Sequence, residues 1–105
     1  MSKPLVVTIP HELGRAEARR RIEGGVGRLT GQLGAIGELK QAWDGDQLRF
    51  SLDAIGQTVT GVIAVEDREV RVEIVLPGIF AMIASKVKGR MRQEGLALLS
   101  GPKRG

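Results

Sequence analysis

His11 is the only histidine of the 105-residue chain, which has neither cysteine nor tyrosine. A histidine can serve as a general base or bind a metal ion, but a base needs a positioned substrate proton and a metal needs further ligands. No second histidine and no cysteine completes a usual site of either kind. We therefore predict a structural role for His11 at the start of a helix, and no catalytic residue, metal site or bound cofactor.

Two further motifs match known binding loops only in part. Asp44-Gly45-Asp46 is similar to a fragment of a calcium loop, but the spaced third oxygen ligand and the closing glutamate are missing. The glycines at positions 24, 25, 27 and 31 lie within a helical pattern, and Gly27-Arg28-Leu29 lacks the Gly-Lys-Ser or Gly-Lys-Thr of a phosphate loop. We interpret the first motif as a hairpin turn and the second as part of a helix.

The basic residues concentrate near the C-terminal end of the chain. The net charge is +4, yet residues 86–105 carry six basic residues against one acidic residue, a local excess of +5. Such a segment attracts phosphate, anionic lipid or an acidic partner, or it forms a solvated face. Nucleic acid is disfavoured because sheet-based binding uses stacked aromatic residues. The chain offers Trp43, Phe50 and Phe80, and two of these are assigned to the core.

The composition is typical of one domain with a modest core, with 42% hydrophobic and 27% charged residues. No apolar run reaches the ~20 residues of a membrane-spanning helix, and residues 1–10 contain no visible export signal. The lack of cysteine fits a reducing compartment. We therefore expect a soluble cytoplasmic protein.

The spacing of the apolar residues predicts the order β-α-β-β-β-β-α. Period-two alternation predicts strands at about 5–9, 39–43, 47–55, 57–65 and 69–76. A helix over about 14–33 has an apolar stripe at Ala18, Ile22, Val26, Leu29 and Leu33. After Pro77-Gly78 a second helix is predicted, with its stripe at Ile79, Phe80, Ile83, Val87 and Met91. The glycines of the first helix either let it lie close to the sheet or break it.

These elements predict one α+β domain over residues 1–100, followed by a disordered basic tail over 101–105. The first strand, bounded by Pro4 and Pro10, is expected at a sheet edge beside the last strand. Both helices would then cover one face of a five-stranded antiparallel sheet, in a reduced helix-grip shape. The apolar run at 62–65 indicates a central strand or a partly covered second face, which makes that face a candidate homodimer surface.

Contacts with partners are predicted at the single tryptophan and near the end of the second helix. Trp43 either anchors a partner or packs over the first helix. Three basic residues, Lys86, Lys88 and Arg92, flank an apolar end that consists of Leu96, Leu98 and Leu99. This combination is typical of helices that bind at interfaces.

Four segments, taken in order, resemble the family of putative polyhydroxyalkanoic acid system proteins. They are Pro10-His11-Glu12-Leu13-Gly14, Glu17-Ala18-Arg19-Arg20-Arg21-Ile22-Glu23, Trp43-Asp44-Gly45-Asp46-Gln47-Leu48-Arg49-Phe50, and Gly61-Val62-Ile63-Ala64-Val65 together with Val70 to Leu76. The resemblance covers most of the chain and rests on order and spacing, because no single segment is a chemical signature. The glycine-rich first helix and the basic tail depart from the family pattern.

The resemblance implies a bacterial cytoplasmic protein linked to the synthesis or use of polyhydroxyalkanoate, a storage polyester, and implies no catalytic residue. We therefore predict a non-enzymatic protein that contacts the granule surface or a granule-bound partner. The alternative is a small carrier that encloses a hydroxyacyl chain, which requires an enclosed apolar cavity. Nucleic-acid binding through the basic C-terminal segment is a minor alternative.

Overall fold

The elements follow the predicted order. The computed structural model describes residues 4–33, 37–54 and 56–100, which form an α+β fold. Its strands are β1 (Leu5–Pro10), β2 (Glu38–Asp44), β3 (Gln47–Ala54), β4 (Gln57–Val65) and β5 (Glu69–Val75). Its helices are α1 (Arg15–Leu33) and α2 (Ala84–Leu99), and a 3-10 segment (Gly78–Ile83) precedes α2. The predicted tail over 101–105 and the side chains of Leu29 and Leu33 lie outside the described part of the chain.

β1 lies at one edge of the sheet and pairs with β5, as predicted. All neighbouring strands are antiparallel, in the order β1-β5-β4-β3-β2. Proline cannot donate to a ladder, and Pro10 ends β1 at this edge. β4 is the central strand of the five, which explains why residues 62–65 are apolar on both faces. The central-strand alternative is confirmed, whereas a homodimer through the second face stays a prediction.

One face of the sheet carries the core. Side chains two residues apart share a face, and one row across all five strands consists of Val7, Val72, Ile63, Leu48 and Trp43. The adjacent row on the opposite face consists of Val6, Glu73, Val62, Arg49 and Ala42. Leu48 is fully buried while Arg49 is exposed. The sheet therefore has one face covered by helices and one open face of mixed character.

Both helices pack on the covered face, and two glycines bring them close to their neighbours. On α2, a Cβ at Gly95 would stand 2.1 Å from the Cδ1 atom of Ile9 in β1. On α1, a Cβ at Gly25 would stand 2.9 Å from a methyl group of Leu98 in α2. The remaining α1 glycines, at positions 24, 27 and 31, face open space, and the helix runs through all of them unbroken. The expectation that these glycines bring α1 close to the sheet is wrong, because the close approach is to α2.

The second helix begins later than predicted. Residues Gly78–Ile83 form the 3-10 segment, and α2 begins only at Ala84. A 3-10 helix has three residues per turn, so the predicted α-helical stripe loses its phase there. Ile79 and Ile83 are consequently 67% and 45% exposed, and their assignment to the buried stripe is wrong. Phe80, Val87 and Met91 are half-buried, as their place in the stripe predicted.

Candidate functional site

His11 joins the start of α1 to the turn between β4 and β5. Its side chain is buried, its Nε2 atom donates to the Glu66 carbonyl at 2.9 Å, and its Nδ1 atom accepts from the Leu13 amide at 3.2 Å. Its backbone amide donates to the Arg68 carbonyl at 2.9 Å. Both ring nitrogens are therefore engaged with backbone groups, which confirms the structural role predicted for His11.

An open depression lies beside His11 at this end of the sheet. It has a volume of about 800 Å³ and is lined by Pro10, His11, Glu12, Gly14, Asp67 and Arg68. A carrier of an acyl chain needs an enclosed and mainly apolar cavity, whereas this depression is open and has charged side chains in its wall. Asp67 pairs with Arg15 at 3.4 Å, and neither ring nitrogen of His11 is free. The depression therefore supports neither the carrier alternative nor general-base catalysis.

The first turns of α1 form a cluster of matched charges with the turns of the sheet. Arg15 lies 3.4 Å from both Asp46 and Asp67, and Arg19 lies 3.0 Å from Glu23 and 3.6 Å from Asp46. The Arg19 guanidinium also stacks 4.5 Å from the ring centroid of Trp43. We call these residues the ion-pair cluster, and its members are Arg15, Arg19, Glu23, Trp43, Asp46 and Asp67.

Two sequence interpretations are resolved within the ion-pair cluster. Asp44-Gly45-Asp46 forms the hairpin turn between β2 and β3, with Gly45 at a φ of 61°. The Asp46 carboxylate forms ion pairs with Arg15 and Arg19. Trp43 lies beneath Arg19 of α1, so the structure places it as the packing alternative did. Its assignment as a partner contact finds no support in this position.

Glu17 is a buried carboxylate that binds two arginines of its own helix. It accepts hydrogen bonds from Arg20 at 2.7 Å through both oxygens and from Arg21 at 3.0 Å. These hydrogen bonds, first from Arg20 and then from Arg21, hold the pKa of the Glu17 carboxyl below its ordinary value of 4.5. Contact with the Glu17 carboxylate in turn raises the pKa of Arg20.

Arg21 extends this network to the end of α2. Its guanidinium donates to the carbonyls of Leu98 and Ser100, which supplies donors where helix carbonyls have no partner within the helix. The side chain of Arg21 is only 18% exposed. Arg19, Arg20 and Arg21 point in different directions because successive helix residues lie about 100° apart, and Arg21 belongs to the contact between the helices rather than to a solvated face.

The cations of α2 form the opposite arrangement. Lys86, Lys88 and Arg92 are exposed, and none forms an ion pair with a residue that the structure describes. The adjoining 3-10 segment adds exposed apolar side chains, since Met82 is 96% exposed. We call this region the α2 surface, and its members are Ile79, Met82, Ile83, Lys86, Lys88 and Arg92.

The geometries of the 3-10 helix and of the α-helix determine how the side chains of the α2 surface follow one another. Side chains three residues apart eclipse in a 3-10 helix, so Ile79 and Met82 form one ridge. Lys86 follows Met82 by about one turn, while Lys88 and Arg92 lie one turn apart on α2. Along the chain, the ridge of apolar side chains on the 3-10 segment is thus followed directly by the cations of α2.

Of the apolar end predicted for partner contacts, Leu98 and Leu99 belong to the core and Leu96 lies on the surface. Leu99 is 3% exposed and Leu98 packs against Gly25, so both belong to the core of the domain. Their assignment to partner contacts is wrong, because the domain itself covers them. Leu96 is 41% exposed, one turn after Arg92, and extends the α2 surface.

Sequence reasoning missed the apolar half of the α2 surface, namely Ile79, Met82 and Ile83 as exposed residues. The three-residue interval from Ile79 to Met82 directly after Pro77-Gly78 suits a 3-10 turn, but it suits an α-helical stripe as well, so the sequence held no decisive signal. Within residues 4–33, 37–54 and 56–100, no three acidic or histidine side chains are grouped to hold a metal ion. In the same ranges, no helix is long and apolar enough to cross a membrane.

Comparison with known proteins gives one match. Neither a curated protein nor a solved structure matches the chain significantly. A family model described as a putative polyhydroxyalkanoic acid system protein matches residues 5–99. This range contains every strand and helix named above, the ion-pair cluster and the α2 surface. The chain therefore belongs to the family of putative polyhydroxyalkanoic acid system proteins.

Proposed function

We propose that this protein is a non-enzymatic docking protein of the polyhydroxyalkanoate system. It binds the granule surface, or a partner bound to the granule, through the α2 surface, and it resides with the granules in the cytoplasm. The observation that carries this proposal is the joint presence of unpaired cations and exposed apolar side chains on one short stretch of chain.

The exposed apolar residues gain less from folding than buried ones, and Met82 gains almost nothing. Burial of a methionine or isoleucine side chain contributes about 1.5 to 3 kcal/mol, and Met82 at 96% exposure keeps nearly all of its surface in water. Apolar patches edged by polar residues mark interaction sites on small proteins. The α2 surface fits this description, whereas the ion-pair cluster has its charges matched within the domain.

Docking through the α2 surface needs no opening of the domain. The stripe that covers the sheet uses Val87, Met91 and Leu99, which are half-buried or buried. The cations and the 3-10 residues lie outside that stripe. The residues of α2 that pack on the sheet are therefore different from those that a partner would contact.

Nucleic-acid binding accounts for less of this surface. Phosphate contacts need only lysine and arginine, and they leave Ile79 and Met82 without a role. The two basic residues beyond Ser100, Lys103 and Arg104, lie outside the described part of the chain.

Sedimentation with isolated polyhydroxyalkanoate granules tests the proposal. We expect the wild-type chain to sediment with the granules and the double variant Ile79→Ser, Met82→Ser to remain in the supernatant, because the apolar ridge is lost. Val75→Thr is the matched control: Val75 is also exposed, at 42%, but it lies on the open face of the sheet.

Truncation is the wrong variant for this test. Deletion of residues 95–105 removes Leu99 from the core, so loss of binding would report unfolding. Substitutions on the α2 surface avoid this difficulty, and thermal unfolding of each variant verifies its fold. Equal sedimentation of the wild type and the folded double variant would contradict the proposal, as would a wild type that stays in solution.

A further inference from the structure

We infer that the occupant of the α2 surface is an anionic lipid surface, with the apolar ridge inserted among acyl chains and the cations against the phosphate groups. This inference rests on the proposed function in one respect, because both assign the contact to the α2 surface. It commits to lipid, and an uncharged polyester or a protein partner becomes an outcome of the test.

The shape of the ridge favours a deformable partner. Met82 is 96% exposed and Ile79 is 67% exposed, so these side chains project from the domain instead of lining a groove. A protein partner must offer a preformed pocket of complementary shape to bury such a projection. A lipid surface closes around it, in the way interfacial helices bury an apolar side at the boundary between headgroups and acyl chains.

The charges favour an anionic partner. Lys86, Lys88 and Arg92 have no acidic partner among the described residues, and they span seven residues of helix, about 9 Å along its axis. Cations at this spacing each strengthen attachment to a surface of anionic lipids. A polyester of hydroxy acids carries no charge along its chain, so it offers these three cations no opposite charge.

The contrast with the opposite face of the molecule strengthens this assignment. On the open face of the sheet, Arg71 lies 2.9 Å from Glu73, and charges of both signs alternate between the strands. On α2, Lys86, Lys88 and Arg92 are exposed and have no acidic partner among the described residues. Lys86 follows the ridge by about one turn, so an orientation that presents the ridge to a surface also brings this cation toward it.

Sedimentation of the full chain with vesicles tests the inference. One set contains equal parts of phosphatidylglycerol and phosphatidylcholine, and the other contains phosphatidylcholine alone. We expect binding to the anionic set, weak binding to the neutral set, and a decrease with added salt because the charges are screened. Lys86→Gln, Lys88→Gln should weaken binding about 25-fold, taken as about fivefold for each cation near the surface.

Two further variants separate charge from insertion. Ile79→Ser, Met82→Ser should weaken binding about tenfold or more, because the buried apolar area is lost. Arg49→Gln, Arg71→Gln removes the same number of charges from the open face of the sheet and should leave binding unchanged. Equal binding to both vesicle sets, absence of binding, or equal losses in the two charge variants would overturn the inference.

The vesicle and granule experiments fail in distinguishable ways. Granule binding that depends on Ile79 and Met82, together with no vesicle binding, would reject lipid and leave the docking function, with polyester or protein as the occupant. Vesicle binding without granule binding would reject the proposed granule function and leave lipid as the occupant of the α2 surface.

Discussion

The ion-pair cluster and the α2 surface both contain cationic side chains, but they use them in opposite ways. Arg15 and Arg19 contact three acidic residues within 4 Å, and Arg19 also stacks on Trp43. Lys86, Lys88 and Arg92 contact none in the described ranges. The first arrangement fastens α1 to two turns of the sheet, whereas the second leaves its charge and its apolar neighbours available. Pairing, rather than the number of basic residues, therefore separates the structural end of this domain from its candidate contact surface.

The largest expected effect is a loss of stability, which shows whether α2 has distinct core and surface sides. Leu99→Ala should lower the free energy of unfolding by about 2 to 5 kcal/mol, because it leaves a cavity at a site that is 3% exposed. Leu96→Ala, the matched control at 41% exposure, should change it by less than about 0.5 kcal/mol. Urea unfolding measures both. Similar losses in the two variants would show that α2 is not divided in this way.

A smaller effect concerns Glu17, the buried carboxylate that holds Arg21 where it contacts the end of α2. The pKa of Glu17 lies below its ordinary value of 4.5 in the folded state, so its stabilisation is present above pH 4.5. It is lost as the pH falls through the lower folded pKa. Glu17→Gln should therefore be less stable than the wild type at neutral pH, and the difference should shrink as the pH falls below 4.5.

Urea midpoints across this pH range measure the Glu17 effect, with Glu12→Gln as control. Glu12 is exposed, and its substitution should shift the midpoint little at any pH. A difference between wild type and Glu17→Gln that stays constant down to acidic pH would show that ionisation of Glu17 does not stabilise the fold.

The smallest effect concerns the ion-pair cluster itself. Arg19→Ala removes a cation–π contact worth about 0.5 to 1 kcal/mol at exposed sites, and its surface ion pairs add little. Because Trp43 is the single tryptophan, its fluorescence emission should shift to the red when the guanidinium no longer covers the ring. Arg28→Ala, an exposed position on the same helix, should leave the emission unchanged. An unshifted spectrum in Arg19→Ala would contradict the stacking.

The fold was largely predictable because period-two and helical spacings carry their own geometry. Residues 69–76 alternate so regularly that the buried face of β5, with Val70, Val72 and Ile74, follows from the sequence. The two prolines around the first strand likewise predicted an edge position. The start of α2 was missed because Ile79 and Ile83 fit an α-helical stripe as well as a 3-10 turn, and only packing distinguishes the two.

The candidate site was predictable only in part. Lys86, Lys88, Arg92 and Leu96 are exposed as a contact role requires, since charged positions outside an apolar stripe can be identified from spacing. Arg15 forms ion pairs with Asp46 and Asp67, which lie on two different turns and far from Arg15 in the sequence. No local pattern indicates such a pairing. The same limit hid the burial of Leu99, which depends on how the last helix turn meets α1 and the sheet.

The packing of α2 against β1 has a consequence for biosynthesis. Gly95 lies against Ile9, so the first strand receives its cover from a helix that is synthesised after all five strands of the sheet. A nascent chain that has released only the sheet would leave Val7 and Ile9 without that cover, in the kind of partly folded state that aggregates readily. Folding of the domain is therefore completed only when residue 99 has left the exit tunnel.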